Sequence, residues 1–281
     1  MRIIRSKKEM SAISRQIRRQ EKTLGFVPTM GALHQGHLSL IQRAREETDF
    51  LVVSIFLNPI QFGPEEDFKR YPRVFKRDAR LCRREGADVV FYPKADDMYP
   101  ADFKTSVSVS ELSQVLCGRF RPGHFQGVAT VVAKLFNIVS PDIAYFGQKD
   151  AQQAIIIKKM AWDLNMPVKI KFVSTVRQND GLALSSRNIY LKPKERKDAT
   201  VLYQALNLAR HLIKQGNVSA RDIVRRMKQL INKKKTAVVQ YISIVDLKDL
   251  RPVDKIKGKV LIALAVWVGK TRLIDNIIVN V

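Results

Sequence analysis

Apolar positions along the first half of the chain fall into two alternating patterns. The runs TLGFVP (23–28) and DFLVVSIFLN (49–58) are nearly continuous apolar stretches and predict buried strands, while the segment between them, 36–47, reads as a helix. Together they make a βαβ unit. The alternation continues with a helix at 74–85, the strand ADVVFYP (87–93), a helix at 127–139, the strand DIAYFG (142–147), a helix at 151–164 and the strand VKIKFV (168–173). This order predicts an α/β fold, a Rossmann-like doubly wound parallel sheet with helices on both faces. Ligands of such sheets sit beyond the carboxyl ends of the strands.

After Val176 the pattern changes. Helical stretches at 194–215 and 219–232 precede three strand-like runs, VVQYISIVD (238–246), KVLIALAVWV (259–268) and RLIDNIIVNV (272–281). They predict a smaller α+β domain with a short mixed or antiparallel sheet, and the boundary is expected near 175, giving domains 1–175 and 176–281. A chain of 281 residues suits two cores better than one. The most apolar run, 260–268, is about half the length a membrane span needs, so it reads as a buried strand. The opening MRIIRSKKEM has charge but no apolar core, so no secretory signal is expected and the cytoplasm is the default compartment. Cys82 and Cys117 show no CxxC spacing and are expected to be plain structural thiols.

The formal charge of +24 suggests contact with polyanions until it is located. Residues 192–235 hold 13 Lys/Arg against 3 Asp/Glu, and the first 22 residues hold 8 against 2. Aromatic side chains that could stack on bases are sparse among these charges, so solvated helix faces explain them better than a nucleic-acid site. No nucleic-acid partner and no membrane is expected.

Candidate chemistry concentrates in PTMGALHQGHLSL (28–40), which places two of the four histidines three positions apart. Pro28 ends a strand, Gly31 and Ala32 remove bulk, and a helix begins near Gly36, so this is a strand-to-helix turn of the kind that binds phosphate through backbone amides and the positive helix end. His34 and His37 stand at its mouth, where both imidazoles can face one bound group, and Gly36 leaves room for a flat ring. A metal site would need a third ligand that is not evident nearby, and a pair of capping histidines is the plainer alternative.

Three later segments would face the same sheet edge. Gln61 follows Asn58 and Pro59 after the strand 49–58 and could bond a small polar substrate, unless NPIQ is only a turn. In FGQKD, Gly147 allows close backbone approach, Lys149 offers a mobile cation, and Asp150 can accept from ribose hydroxyls or cap the next helix, along which Gln153 lies one turn further. Ser185, Ser186 and Arg187 in LALSSRN collect two hydroxyls and a guanidinium suited to phosphate oxygens.

The string HQGH resembles the HxGH signature of the nucleotidyltransferase and class I aminoacyl-tRNA synthetase superfamily. The longer PTMGALHQGHLSL, with FLNPIQFGPEEDFKRYPR (56–73), RPGHFQGVATVVAKLFNIVSPDIAYFGQKDAQQ (121–153), MPVKI (166–170) and TVRQNDGLALSSRNIYL (175–191), resembles the pantothenate synthetase (pantoate-β-alanine ligase) family. Five ordered blocks make coincidence implausible where one HxGH would not. The resemblance implies an ATP-dependent ligase that condenses pantoate with β-alanine through a pantoyl adenylate. It implies an ATP site formed by Met30, Gly31, Ala32, Leu33, His34, Gln35, Gly36 and His37, by Gly147, Gln148, Lys149 and Asp150, by the Val176 backbone, and by Leu184, Ser185, Ser186 and Arg187. It makes His37 the proton donor and His34 a phosphate contact, with Lys149 and Arg187 completing the catalytic set. Gln61 and Gln153 would hold pantoate, Gln61 also serving β-alanine, with Tyr71 and His124 lining the cleft. Mg2+ should accompany ATP, with its protein ligand unassigned and Asp78 a possible contributor. FGPEEDFKRYP (62–72) is the candidate closing segment, and a homodimer is implied.

Two rival readings remain at this point. One is another adenylyl-transferring member of the superfamily, such as a tRNA-charging enzyme, although LSSRN stands where that enzyme would carry a KMSKS-like string. The other is a basic RNA-binding protein that keeps the nucleotide fold without catalysis. The high charge is not required by the ligase reaction, and the second domain matches by pattern more than by motif.

Overall fold

A computed structural model describes residues 1–281. Strands β1 (Arg2–Ile4), β2 (Leu24–Thr29), β3 (Phe50–Ile55), β4 (Val89–Phe91), β5 (Ile143–Gly147) and β6 (Lys169–Val173) form one parallel sheet in the order β1-β4-β3-β2-β5-β6. The chain winds outward from β2 through β3 to β4, then returns to lay β5 and β6 on the other side of β2. Strand order therefore reverses between β2 and β5, and that is where a doubly wound sheet opens a crevice at its carboxyl edge. Helices α1 (Lys7–Arg19), α5 (His124–Val139) and α6 (Ala151–Asp163) contribute to the larger core on one face of this sheet, and α2 (Gln35–Glu47) and α3 (Phe75–Arg84) to the smaller core on the other.

The doubly wound sheet matches the pattern in the sequence, with differences that have local causes. Arg2–Ile4 and α1 precede the first strand read from the sequence. Only Ile4 is buried in that three-residue edge strand, and α1 hides Met10, Ile13 and Ile17 among exposed or half-exposed polar residues such as Lys7, Lys8 and Arg15. Strand β3 stops at Ile55 rather than 58, because Pro59 cannot donate to a ladder and opens a 3-10 turn. A short helix, α4 (Ala95–Met98), follows β4, which is itself only three residues long.

Beyond Val173 the chain crosses the carboxyl edge of the sheet before the remaining helices. The stretch expected as one helix at 194–215 is two, α7 (Pro193–Asp198) and α8 (Val201–Lys214), broken where the Thr200 hydroxyl donates to the Lys197 carbonyl at 2.9 Å and competes with the helical ladder. Helix α9 (Ala220–Asn232) follows. Strands β7 (Ala237–Asp246), β8 (Lys259–Val268) and β9 (Thr271–Asn280) then form an antiparallel sheet with β8 at its centre, buried along most of its length. One face of this sheet packs on α8 and α9. The other joins the core of the parallel sheet through Val245, Leu261 and Ala263. Cys82 and Cys117 are buried free thiols. No helix is long and apolar enough to cross a membrane.

Candidate active site

The turn between β2 and α2 is held from beneath. Gly31 and Ala32 both take left-handed backbone conformations, with φ of 84° and 52°. A Cβ on Gly31 would stand 3.2 Å from Asp78 Oδ2, so the position needs glycine on both counts. The strain at Ala32 is offset by Asp78, which is 1 % exposed and accepts the Ala32 N–H at 2.7 Å and the Leu33 N–H at 2.9 Å. Burial raises the Asp78 carboxyl above its usual range despite these bonds. Each of its oxygens accepts one backbone N–H, so Asp78 shapes the turn.

His34 and His37 are capping residues and cleft residues together. His34 is the N-cap of α2: its Nδ1 accepts the Gly36 N–H at 3.2 Å, while His37 Nδ1 accepts the His34 N–H at 3.3 Å. The rings lie 4.1 Å apart. With each Nδ1 an acceptor, a neutral ring carries its proton on Nε2, leaving two N–H donors for a ligand. Burial is the main reason the rings stay neutral. It takes His34 down to about 4, helped by Lys149, and His37 down to about 3, helped by His34. The flat ring that needs the space at Gly36 is that of His34, whose atoms would lie 3.0 Å from an added Cβ.

Across the crevice, the turn after β5 presents Lys149 and Asp150, their side chains 3.4 Å apart. Asn276 of β9 pins this turn by donating from Nδ2 to the Gln148 and Lys149 carbonyls, both at 2.9 Å. Burial alone would raise the Asp150 carboxyl, but Lys149, Arg187 and His37 carry it below its usual value. The segment 174–187 closes a third side. Ser186 Oγ donates to the Ala32 carbonyl at 3.1 Å, tying this segment to the histidine turn, and Ser185 Oγ accepts the Arg187 N–H at 3.3 Å.

Arg187 does not stand free as its sequence context suggests. Its guanidinium makes a two-pronged pair with Asp67, at 2.8 and 2.7 Å. Asp67 lies in the strap 62–73, which contains no regular helix or strand. Glu66 beside it takes a second arginine, Arg121, whose Nε donates at 2.6 Å. Burial opposes ionisation of both acids, yet the arginines hold their carboxyls below the usual range.

The fourth side carries Gln61 at the end of the 3-10 turn after β3. Arg121 Nη1 donates to His124 Nε2 at 2.9 Å, so His124 Nδ1 carries the proton that bonds the Gln61 carbonyl at 2.8 Å. Burial and then Arg121 lower His124 to about 4, consistent with this neutral form. Gly127 is required where α5 passes underneath, because a Cβ there would meet the Ile60 carbonyl oxygen at 2.4 Å. One cleft thus gathers Met30, His34, Gly36, His37, Gln61, Gly147, Lys149, Asp150, Gln153, Val176, Leu184, Ser185, Ser186 and Arg187, with Tyr71 and His124. Gly31, Ala32, Leu33, Gln35 and Gln148 do not line it. The first three form the buried base of the turn, Gln35 faces solvent, and Gln148 lends its carbonyl to Asn276.

A family model described as pantoate-beta-alanine ligase matches residues 2–278, nearly the whole chain. The chain belongs to the pantoate-beta-alanine ligase family. Curated relatives include the pantothenate synthetases of Caldicellulosiruptor bescii, 54 % identical over 278 residues with 99 % of each chain covered, and of Thermotoga neapolitana, 54 % identical over 280 residues with both chains covered in full. Among solved structures, a pantothenate synthetase from Thermus thermophilus superposes with a TM-score of 0.94 at 45 % identity, covering 99 % of both chains. The pantoate-beta-alanine ligase of Francisella tularensis, complexed with beta-gamma ATP and beta-alanine, gives 0.80 at 35 % identity, covering 99 % of this chain and 97 % of that one.

The cleft is also shaped by residues that the sequence did not single out. Arg121, Glu66 and Asp67 lie inside matching blocks, but their pairings join positions 55 and 120 residues apart. Asn276, from the last strand, lies in a run that reads only as a strand. For Arg121 a signal was present, since RPGH places it three residues before His124.

Proposed function

We propose that the ligase joins pantoate to β-alanine in two steps within this cleft. A carboxylate is a poor acylating agent because oxide is a poor leaving group. In the first step the pantoate carboxylate attacks the α-phosphorus of ATP and pyrophosphate leaves, giving a pantoyl adenylate. In the second the β-alanine amine attacks the acyl carbon, AMP leaves, and pantothenate is formed. The observation that carries this reading is the meeting of two histidine Nε2–H donors and Lys149 with a pair of glutamines in one crevice at the switch point, where the turn's own N–H groups are already bonded within the protein.

The residues divide the work by chemistry. His34 and His37, neutral in the free cleft, donate hydrogen bonds to charge growing on the phosphates, and His37 is the proton donor. Lys149 and Arg187 supply positive charge, and Asp150 accepts from ribose hydroxyls. Met30, His34, Gly36, His37, Gly147 and Val176, with Leu184, Ser185 and Ser186, hold the nucleotide through the groups that face the cleft, since the N–H groups of residues 31–34, 36 and 37 are already bonded within the protein. Gln61 and Gln153 hold pantoate for in-line attack. The donor set does not fit a metal held by the protein alone, because no three His, Cys, Asp or Glu side chains converge and Asp150 is the one carboxylate lining the cleft. Mg2+ therefore belongs to the nucleotide as part of the substrate, and no step is routed through a protein-held metal. The strap 62–73, released from Arg187 while the triphosphate is bound, closes again over the adenylate once pyrophosphate has left and keeps water away. A homodimer and a cytoplasmic setting complete the proposal, the former to be read from sedimentation equilibrium.

The deciding experiment is exchange of labelled pyrophosphate into ATP by purified protein without β-alanine. Exchange that requires pantoate and is not supported by amino acids is the expected result. Pantothenate formation with no such exchange would overturn the adenylate step, and absence of both would remove the ligase reading.

A further inference from the structure

The amide of Gln61 is held from behind by a chain of hydrogen bonds that starts outside the cleft. Tyr99, just after α4, donates its hydroxyl to Asn58 Oδ1 at 2.8 Å. Asn58, 1 % exposed, spends both N–H bonds of its own amide, one on the Gly127 carbonyl at 3.1 Å and one on Gln61 Oε1 at 3.0 Å. The direction is set by chemistry: the Gly127 carbonyl can only accept, so Asn58 must turn its nitrogen that way and its oxygen toward Tyr99. Gln61 Oε1 is then occupied, and its Nε2 lies 3.0 Å from the Met30 sulfur, a weak acceptor on the cleft side. Gln153 shares the cleft, and its amide has no such support. The Tyr99 ring is itself wedged between Phe56 and Phe103, with centroids 6.2 and 5.1 Å away, so the hydroxyl has little freedom to turn elsewhere.

We infer that Tyr99 is a positioning residue for pantoate, acting through Asn58 to fix the Gln61 amide with only its N–H2 end toward the cleft. A substrate atom at that place must be an acceptor, as carboxylate and hydroxyl oxygens are. An amide free to flip would present its oxygen part of the time and repel a carboxylate. The inference rests on the reading above that Gln61 holds pantoate.

The test is steady-state kinetics of Tyr99→Phe, Asn58→Ala, their double variant and Gln61→Ala, with thermal melting of each. Tyr99→Phe keeps the ring and leaves the buried Asn58 oxygen without its donor, so KM for pantoate rises about fivefold to tenfold while KM for ATP stays within about twofold. In the Asn58→Ala background the same change adds nothing further, since the relay is already cut. An unchanged pantoate KM in Tyr99→Phe, an equal rise for ATP, or full additivity in the double variant overturns the inference. Should Asn58→Ala not fold, the pantoate-against-ATP split in Tyr99→Phe alone decides. A normal pantoate KM in Gln61→Ala overturns the reading of Gln61 and the relay with it, whereas a raised one beside an unaffected Tyr99→Phe overturns the relay only.

Discussion

The two long walls of the cleft are held by different forces. The histidine turn, 30–37, is fixed by hydrogen bonds to its own backbone: Asp78 from below, a reciprocal pair of histidine caps, and Ser186 on the Ala32 carbonyl. The strap, 62–73, has no ladder of its own and is held mainly by Glu66 on Arg121, Asp67 on Arg187 and the Tyr190 hydroxyl on the Arg70 carbonyl. A wall built from backbone bonds keeps its shape whether or not a ligand is present. One held by acid–arginine pairs can be released by a competing anion, and a nucleotide triphosphate is such an anion. The difference separates a wall whose ties are backbone hydrogen bonds from one whose ties are ion pairs open to competition by an anion.

The largest break in this comparison comes from the histidine turn. Replacing His34 and His37 together with alanine removes both Nε2–H donors, and pantoate-dependent pyrophosphate exchange should fall by about a thousandfold or more. Asp78→Asn leaves one acceptor where two backbone N–H groups need one each. It should cost about 2 kcal/mol, read as a fall of several degrees in melting temperature, and weaken ATP binding with it.

Acidity sharpens the same contrast. His34, His37 and His124 have folded values of about 4, about 3 and about 4, all below the ordinary 6.5. Below pH 6.5 the unfolded chain takes up protons that the folded chain refuses, so stability falls as pH drops from 6.5 toward 4. Urea midpoints at pH 7 and pH 5 should show this, and replacing His34 and His37 with glutamine should shrink the difference. The strap acids, held below their ordinary carboxyl range, add their loss only at still lower pH.

A smaller effect of the opposite sign is expected on the strap. Asp67→Asn frees Arg187 from its partner and should lower KM for ATP several-fold, while the loss of one of the strap's few tethers lowers the melting temperature. Least of all, Glu111→Gln breaks an ion pair with Arg251 whose side chains are 74 % and 70 % exposed, and should leave the melting temperature unchanged. It is the control for the strap pairs, an acid–arginine contact that stands in open solvent.

How far apart in sequence the partners lie decides what could be read from the sequence. Features set by near neighbours were legible: apolar runs ending in Pro28 or Gly147, the glycine beside His34, and serines and an arginine collected in LSSRN. The capping role of the two histidines was visible as an alternative to ligand binding, and the structure has them in capping positions at the cleft. Features set by distant partners were not. Asp78 reads as one helix-surface aspartate among several because its bonds lead to a turn 45 and 46 residues away. Arg187 shows its chemistry but not its partner, and Tyr99 shows neither. The N-terminal strand escaped because a three-residue edge strand carries almost no periodicity.

Amide hydrogen exchange of the intact ligase, with and without ATP, Mg2+ and pantoate, tests the contrast between the walls most directly. The account predicts that 30–37 is protected in both states, while protection of 62–73 changes by tenfold or more when the nucleotide is added. A turn that becomes protected only on nucleotide binding, beside a strap that does not respond, would contradict it.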